Sequence, residues 1–142
     1  MGEVFAEYQC TIKKEVSIEG IGLHTGKKTL LRFKKAKEET GIVFVRKDLP
    51  GSPQIPARVE YANHRDRSTS LQKGNLKVNI IEHVMAAVAG VGIDNLIIEI
   101  NNIEPPVLDG SAKPFAEILK KAGKKIQDKK KKFFTPSPFP FW

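Results

Sequence analysis

The chain has 142 residues, enough for one domain with a hydrophobic core, and its 40% hydrophobic content is ordinary for a globular protein. Its longest apolar runs are far shorter than the roughly 20 residues of a membrane-spanning helix. The N-terminal residues lack the basic and apolar regions of a secretory signal. A single cysteine, Cys10, excludes an intramolecular disulfide. The sequence therefore predicts a cytoplasmic protein with no membrane span.

The formal net charge of +8 comes largely from lysines near the C-terminal end of the sequence. They are Lys120, Lys121, Lys124, Lys125, Lys129, Lys130, Lys131 and Lys132. Such a run is typical of a solvated helix face or a loose tail. No aromatic residues are interleaved with these lysines, and no RNA-binding, zinc-finger or helix-turn-helix motif is recognisable. Nucleic-acid binding is therefore not expected.

Alternating apolar and polar side chains between Cys10 and Ile18 predict a half-buried strand. It leads into residues 20–27 (GIGLHTGK), where three glycines predict a tight loop. Residues 29–33 then predict a second strand that closes a hairpin. His24 in the loop could contact a ligand, or could equally stabilise the loop by a hydrogen bond.

A third strand is predicted over residues 42–46 from their β-branched content. Residues 55–59 predict an edge strand, because a proline there removes a donor from the sheet. The polar segment 63–71 is too long for a tight turn, and loops of this kind often line sites. Within it, His64 and Asp66 could bind a cation, although a solvated loop pair is the more common arrangement.

Residues 76–92 join a short β-branched run to an alanine-rich run with helical periodicity. The apolar stripe of this helix consists of Ile81, Val84, Met85, Val88 and Val91. Glu82 and His83 stand side by side at the junction, where backbone N–H groups and the helix dipole favour a carboxylate and a neutral imidazole. This is the predicted location of chemistry, although such a pair can also be an ordinary exposed pair in a first helical turn.

Residues 95–100 predict a further strand, and the two prolines that follow predict a rigid turn. Ser111 is the predicted N-cap of a second helix that ends at Gly123. Its apolar face is formed by Phe115, Ile118, Leu119 and Ala122. The predicted fold is an α+β two-layer sandwich, a mostly antiparallel sheet of four to six strands packed on two helices.

Four motifs occur in an order and spacing that resemble a known family. They are residues 20–27 (GIGLHTGK), 81–83 (IEH), 92–95 (GIDN) and 106–112 (PVLDGSA). Each is weak alone, but together they closely resemble the N-terminal domain of the bacterial zinc-dependent UDP-3-O-acyl-N-acetylglucosamine deacetylases of lipid A synthesis. The resemblance covers approximately residues 10–134.

The resemblance implies that His83 binds Zn²⁺ and that Glu82 accepts a proton from the zinc-bound water, roles suited to an imidazole and a neighbouring carboxylate. It also implies that the substrate is a UDP-linked acylated amino sugar. Further residues match the family less specifically: Asp66, Arg67 and Ser68 in the substrate cleft, and His24 and Asp109 in site-supporting positions.

The chain departs from the family in two respects. Ile80 and Ile81 stand where the family usually has Thr-Val, so a hydroxyl that could cap the helix is absent. The family's other two zinc ligands, a His and an Asp four residues apart, belong to a second domain, and no histidine follows His83 in this sequence.

The predicted organisation is an N-terminal extension over residues 1–9, a deacetylase-like domain over 10–123, and a lysine-rich linker with a Pro/Phe-rich tail over 124–142. The second, C-terminal domain is predicted to be missing, which would leave the chain truncated and inactive alone. The alternative is a non-enzymatic basic binding module for an anionic partner, or a regulatory short form.

Overall fold

The computed structural model describes residues 7–63 and 68–131 of the chain. Its largest sheet has five strands: β2 (Val16–Ile21), β3 (Lys28–Lys35), β4 (Ile42–Arg46), β5 (Gln54–Pro56) and β9 (Leu96–Ile100). Their order is β2–β3–β9–β4–β5. The pairing of β4 with β9 is parallel, and the other three pairings are antiparallel.

Two smaller sheets and two helices complete the described part of the chain. Strand β1 (Tyr8–Ile12) pairs antiparallel with β10 (Lys124–Lys130). The other small sheet contains β6 (Ala62–Asn63), β7 (Ser70–Lys73) and β8 (Leu76–Val78), preceded by a 3-10 turn over Val59–Tyr61. The helices are α1 (Glu82–Val91) and α2 (Lys113–Ala122). The predicted α+β sandwich is thus confirmed, with five strands in its principal sheet.

Apolar faces of both helices pack on the five-stranded sheet. The buried core includes Leu31, Phe33, Phe44, Ile98 and Ile100 from the sheet, Val84, Met85 and Val88 from α1, and Phe115 and Leu119 from α2. Each fully buried side chain of this size stabilises the fold by about 1.5–3 kcal/mol relative to an exposed one. The predicted stripe of α1 is therefore confirmed as its packing face.

The predicted single strand from Cys10 to Ile18 is wrong, because it is two strands in different sheets. Between them, the N–H groups of Lys13 and Lys14 donate to carbonyls at the end of α2, at Gly123 (2.9 Å) and Ala122 (3.3 Å). These hydrogen bonds turn the chain from the small sheet into the large one. Alternation in the sequence continues through the turn and so does not reveal it.

In the lysine-rich run, Lys120 and Lys121 lie exposed at the end of α2, as predicted for a solvated helix face, but the described residues that follow form neither a helix face nor a loose tail. Its residues Lys124–Lys130 form β10, with Cys10 opposite Ile126 and Ile12 opposite Lys124. Tyr8 and Gln9, assigned by prediction to the N-terminal extension, belong to β1. Strand β10 forms because it pairs with β1 from the other end of the sequence. The local composition of the lysine-rich run does not indicate this partner.

The predicted edge strand is confirmed in its place at the edge of the sheet, although it ends at Pro56. Helix α1 ends at a glycine, because Gly92 adopts a left-handed conformation (φ +88°) and its N–H donates to the carbonyl of Val88. Within residues 7–63 and 68–131, no helix is long and apolar enough to cross a membrane.

Two glycine substitutions at the end of α1 should have opposite effects on stability. A Cβ at Gly90 meets no atom within 4 Å, whereas Gly92 has a positive φ and a Cβ there would lie 3.1 Å from the Nζ of Lys124. We expect Gly90→Ala to raise the free energy of unfolding by about 0.5–1 kcal/mol. Gly92→Ala should lower it by about 1–2 kcal/mol. Urea denaturation followed by circular dichroism measures both, and equal effects would contradict the C-cap assignment.

Candidate active-site junction

Glu82 and His83 are the first two residues of α1, and both are half-buried. The residue before them, Ile81, is fully buried and makes no side-chain capping hydrogen bond. A carboxylate in a first helical turn interacts favourably with the positive end of the helix dipole. The pair is therefore anchored at a helix start whose preceding residue points into the core.

Backbone hydrogen bonds from two neighbouring segments fix the turn that leads into α1. The N–H of Asn79 donates to the carbonyl of Ile103 (2.7 Å), and the N–H of Ile81 donates to the carbonyl of Thr69 (3.0 Å). Between them, Ile80 has a positive φ of 54°. This conformation is rare for a β-branched residue and costs about 1–3 kcal/mol. The surrounding hydrogen bonds therefore hold a strained residue two positions before Glu82.

The Glu82 carboxylate contacts the segment that precedes β7. Its Oε2 accepts a hydrogen bond from the N–H of Thr69 at 3.1 Å, which restricts the orientation of the carboxylate. Ser68, the neighbour of Thr69, is half-buried. Asp66 and Arg67 lie outside the described residues, as does His64, so their predicted roles stay predictions.

The glycine-rich loop is held through its main chain. The two ends of the loop are joined by a hydrogen bond from the N–H of Gly22 to the carbonyl of Lys27 (2.9 Å). The carboxylate of Glu104 accepts hydrogen bonds from the N–H groups of His24 (3.0 and 3.1 Å) and Thr25 (2.7 Å). The His24 side chain is exposed. Its main-chain N–H, rather than its ring, therefore fastens the loop.

Sequence reasoning did not identify Glu104 or its neighbour Asn102 as site-supporting residues. Asn102 donates from Nδ2 to the hydroxyl oxygens of Thr25 (2.9 Å) and Thr29 (2.8 Å). Gly22 lies against both side chains: a Cβ there would be 3.0 Å from Oε2 of Glu104 and 3.1 Å from Nδ2 of Asn102. The only signal in the sequence is a glutamate placed directly before two prolines, after a strongly apolar strand.

Asp109 belongs to the turn that precedes α2. Its Oδ1 accepts hydrogen bonds from the N–H (2.9 Å) and hydroxyl (2.7 Å) of Ser111, and these bonds lower the pKa of the Asp109 carboxyl. The hydroxyl of Ser111 in turn accepts from the N–H of Lys113 at 3.3 Å. The helix begins at Lys113 with Ala112 as its N-cap, one residue later than predicted. The site-supporting role of Asp109 stays a prediction.

The motif at residues 92–95 fastens the β1–β10 sheet. Asp94 accepts the N–H of Cys10 on its Oδ2 (2.8 Å). Asn95 donates from Nδ2 to the side-chain oxygens of Gln9 (2.9 Å) and Gln127 (2.8 Å), and its Oδ1 accepts the N–H of Gly41 (2.9 Å). All of these contacts lie within the fold, which gives the motif a structural role.

A zinc ion in an enzyme site usually has three protein ligands and one open position. In the part of the chain that the structure describes, no group of three His, Cys, Asp or Glu residues could hold a metal ion. His83 offers one imidazole and Glu82 an adjacent carboxylate, so the described donor set is incomplete. A zinc site that includes His83 needs ligands from beyond the described residues.

Comparison with known proteins identifies the family. The family model for UDP-3-O-acyl N-acetylglycosamine deacetylase matches residues 9–138. The chain belongs to this family. It is 44% identical over 125 residues to the UDP-3-O-acyl-N-acetylglucosamine deacetylase of Coxiella burnetii, a match that covers 88% of this chain and 41% of that protein. It is also 46% identical over 128 residues to the bifunctional enzyme LpxC/FabZ of Chlorobaculum tepidum, covering 90% of this chain and 27% of that enzyme.

The chain therefore spans between about a quarter and two-fifths of the length of these curated relatives. The family assignment agrees with the resemblance drawn from the four sequence motifs. The matched region contains the Glu82–His83 junction, the glycine-rich loop and the residues around Glu104.

Replacing Asp94 should change how stability depends on pH. Burial raises the pKa of the Asp94 carboxyl, against the opposing effects of the Cys10 N–H and of Lys131 and Lys124. The folded chain therefore holds this proton more tightly than the unfolded chain. This contribution to stability is complete below the ordinary pKa of about 3.9 and is lost as pH rises through the folded value.

Asp94→Asn keeps an oxygen for the Cys10 N–H but cannot ionise. We therefore compare the free energy of unfolding of Asp94→Asn with that of the unsubstituted chain by urea denaturation from pH 4 to pH 7. The value for the variant minus the value for the unsubstituted chain should be larger at pH 7 than at pH 4. Asp109→Asn serves as a control of opposite sign, because the pKa of Asp109 is lowered in the folded chain. A constant difference between Asp94→Asn and the unsubstituted chain at all pH values would contradict the prediction.

Proposed function

We propose that this chain forms the part of a zinc-dependent UDP-3-O-acyl-N-acetylglucosamine deacetylase that carries Glu82 as general base and His83 as a zinc ligand. The observation that carries the proposal is the geometry of the junction: both side chains are half-buried at the start of α1, and the N–H of Thr69 orients the carboxylate. Membership of the deacetylase family supports the reaction class. The names of the relatives support the substrate, a UDP-linked acylated amino sugar.

Amide hydrolysis needs a nucleophilic water, a polarised carbonyl and an acceptor for the proton that the water loses. Bound zinc supplies a Lewis acid and lowers the pKa of its water. Glu82 fits the role of proton acceptor, because the hydrogen bond from Thr69 holds its carboxylate in one orientation beside His83. A base that is already oriented contributes without the cost of ordering it during the reaction.

The proposal leaves the remaining zinc ligands to residues beyond those described, which the resemblance assigns to a second domain. Asp66, Arg67 and Ser68 are proposed to contact the substrate, and His24 and Asp109 to support the site. The hydrogen bond from Thr69 to Glu82 favours a position of Ser68 near Glu82, since Ser68 directly precedes Thr69. A cytoplasmic location is proposed for the protein.

A chimeric enzyme tests the assigned roles. We would replace the matching 125-residue region of the Coxiella burnetii deacetylase with residues 10–134 of this chain and measure release of acetate from UDP-3-O-acyl-N-acetylglucosamine. The chimera should be active, and Glu82→Gln should lower kcat by about 10²–10⁴-fold, the usual contribution of a general base.

The matched control for that chimera is Glu117→Gln, which changes an exposed glutamate on α2 in the same chemical way. This variant should leave kcat unchanged. Full activity of the Glu82→Gln chimera would remove Glu82 from the mechanism.

Zinc binding by the 142-residue chain provides a second test. With one imidazole and a neighbouring carboxylate, we expect the chain to bind zinc far more weakly than the chimera does, because most of the metal's shell would be water. His83→Ala should abolish the residual binding seen by isothermal titration calorimetry, and His24→Ala should not. Tight stoichiometric binding that survives His83→Ala would show that the metal site lies elsewhere.

A further inference from the structure

Glu104 is a buried carboxylate that the proposed reaction does not use. Only 1% of the residue is exposed, and no described residue forms an ion pair with it. Its two oxygens instead accept hydrogen bonds from two consecutive main-chain N–H groups, those of His24 and Thr25. A buried charge is costly without such compensation, so the residue must be held in place by a defined environment.

The segment around Glu104 contacts the glycine-rich loop on one side. Pro106 forms an antiparallel bridge with Gly22, and the N–H of Val107 donates to the carbonyl of Ile21 at 2.8 Å. Asn102 adds its hydrogen bonds to Thr25 and Thr29. The loop is therefore tied to residues 102–107 at several points, with Glu104 at the centre.

The same segment contacts the start of α1 on its other side. The carbonyl of Ile103, adjacent to Glu104, accepts the N–H of Asn79 at 2.7 Å. Asn79 directly precedes Ile80, whose positive φ sets the direction of the chain into Glu82 and His83. A shift in the main chain at residues 103–104 would therefore reach this strained turn through one hydrogen bond.

We propose that Glu104 is a positioning residue that fixes the Glu82–His83 pair relative to the glycine-rich loop. Its carboxylate holds residues 24–25 against residues 102–106. The carbonyl of the neighbouring Ile103 accepts the N–H of Asn79, and this hydrogen bond links the same segment to the turn before α1. The assignment of a reaction to Glu82 and His83 is the proposed function on which this inference rests.

The role suits a carboxylate better than any neutral side chain. Both oxygens of a carboxylate are acceptors, so the two oxygens can face two N–H groups that point the same way. Hydrogen bonds to a charged acceptor are roughly twice as strong as neutral ones. In Glu104→Gln, one of the two oxygens becomes an NH₂ group that faces a main-chain donor, so the loop loses part of its attachment while the side-chain volume is kept.

Nuclear magnetic resonance of the full 142-residue chain tests the inference. Glu104→Gln should shift the amide resonances of His24 and Thr25, and also those of Asn79 and Ile81 and the ring C–H resonance of His83. Amide hydrogen exchange at His24 and Thr25 should accelerate at least about tenfold, the effect of losing roughly 1.4 kcal/mol of protection. Glu19→Gln on the same hairpin is the control, because Glu19 is exposed and, among the described residues, forms its one ion pair with Lys28 at the surface.

Gly22→Ala offers an independent variant, also when Glu104→Gln does not fold. The added Cβ would lie 2.7 Å from Oγ1 of Thr25, 3.0 Å from Oε2 of Glu104 and 3.1 Å from Nδ2 of Asn102, so it crowds the carboxylate and the loop contacts around it without removing the charge. It should shift the same resonances at Asn79, Ile81 and His83. If either folded variant moves only the resonances of His24 and Thr25, Glu104 stabilises the loop alone and the positioning role is overturned.

Zinc titration distinguishes a failure of the positioning role of Glu104 from a failure of the proposed zinc-binding role of His83. Zinc added to the unsubstituted chain should shift the His83 ring resonance, and Glu104→Gln should weaken that binding severalfold while Glu19→Gln leaves it unchanged. Absence of any zinc effect at His83 would count against the proposed function. The metal-free shifts at Asn79, Ile81 and His83 would still decide whether Glu104 positions the pair.

Discussion

Strand β9 is the constraint on which the rest of the fold depends. It lies at the centre of the five-stranded sheet, antiparallel to β3 and parallel to β4, and its side chains Leu96, Ile98 and Ile100 are fully buried. A strand hydrogen-bonded on both edges in a close-packed interior has one register, because a slip of one residue would move its apolar side chains out of the core. The fixed register of β9 therefore also fixes the positions of the segments that precede and follow it.

Each end of β9 carries a buried polar cluster. Before the strand, Asn95 joins Gln9 and Gln127, which fastens the β1–β10 sheet. After it, Asn102 and Glu104 hold the glycine-rich loop. Among the described residues, no buried side-chain nitrogen or oxygen lacks a hydrogen-bond partner. Satisfied polar groups of this kind specify one arrangement, since any other would leave a buried group unpaired.

The candidate site at the start of α1 depends on the segment that follows β9 and on the segment that precedes β7. Residues beyond β9 fix the turn before α1, and the segment before β7 orients the carboxylate of Glu82. Strain at Ile80 is tolerated because the flanking hydrogen bonds over-determine its conformation. A carboxylate held in this way is already oriented, which is the property that the proposed role of Glu82 as a base requires. The deacetylase family to which the chain belongs gives these features their chemical context.

The sequence by itself determined the α+β class, the hairpin around residues 20–27, the packing face of α1 and the family, because apolar periodicity and short motifs are local properties of the chain. It also placed Glu82 and His83 at a helix start. Only the tertiary structure decided that Lys124–Lys130 of the lysine-rich run form β10, that β1 and β2 belong to different sheets, and that Glu104 supports the loop. These features depend on partners distant in sequence: Cys10 pairs with Ile126, and Glu104 accepts from Thr25. The free energy of such contacts comes from burial and hydrogen bonding across the assembled fold, which no local pattern of residues encodes.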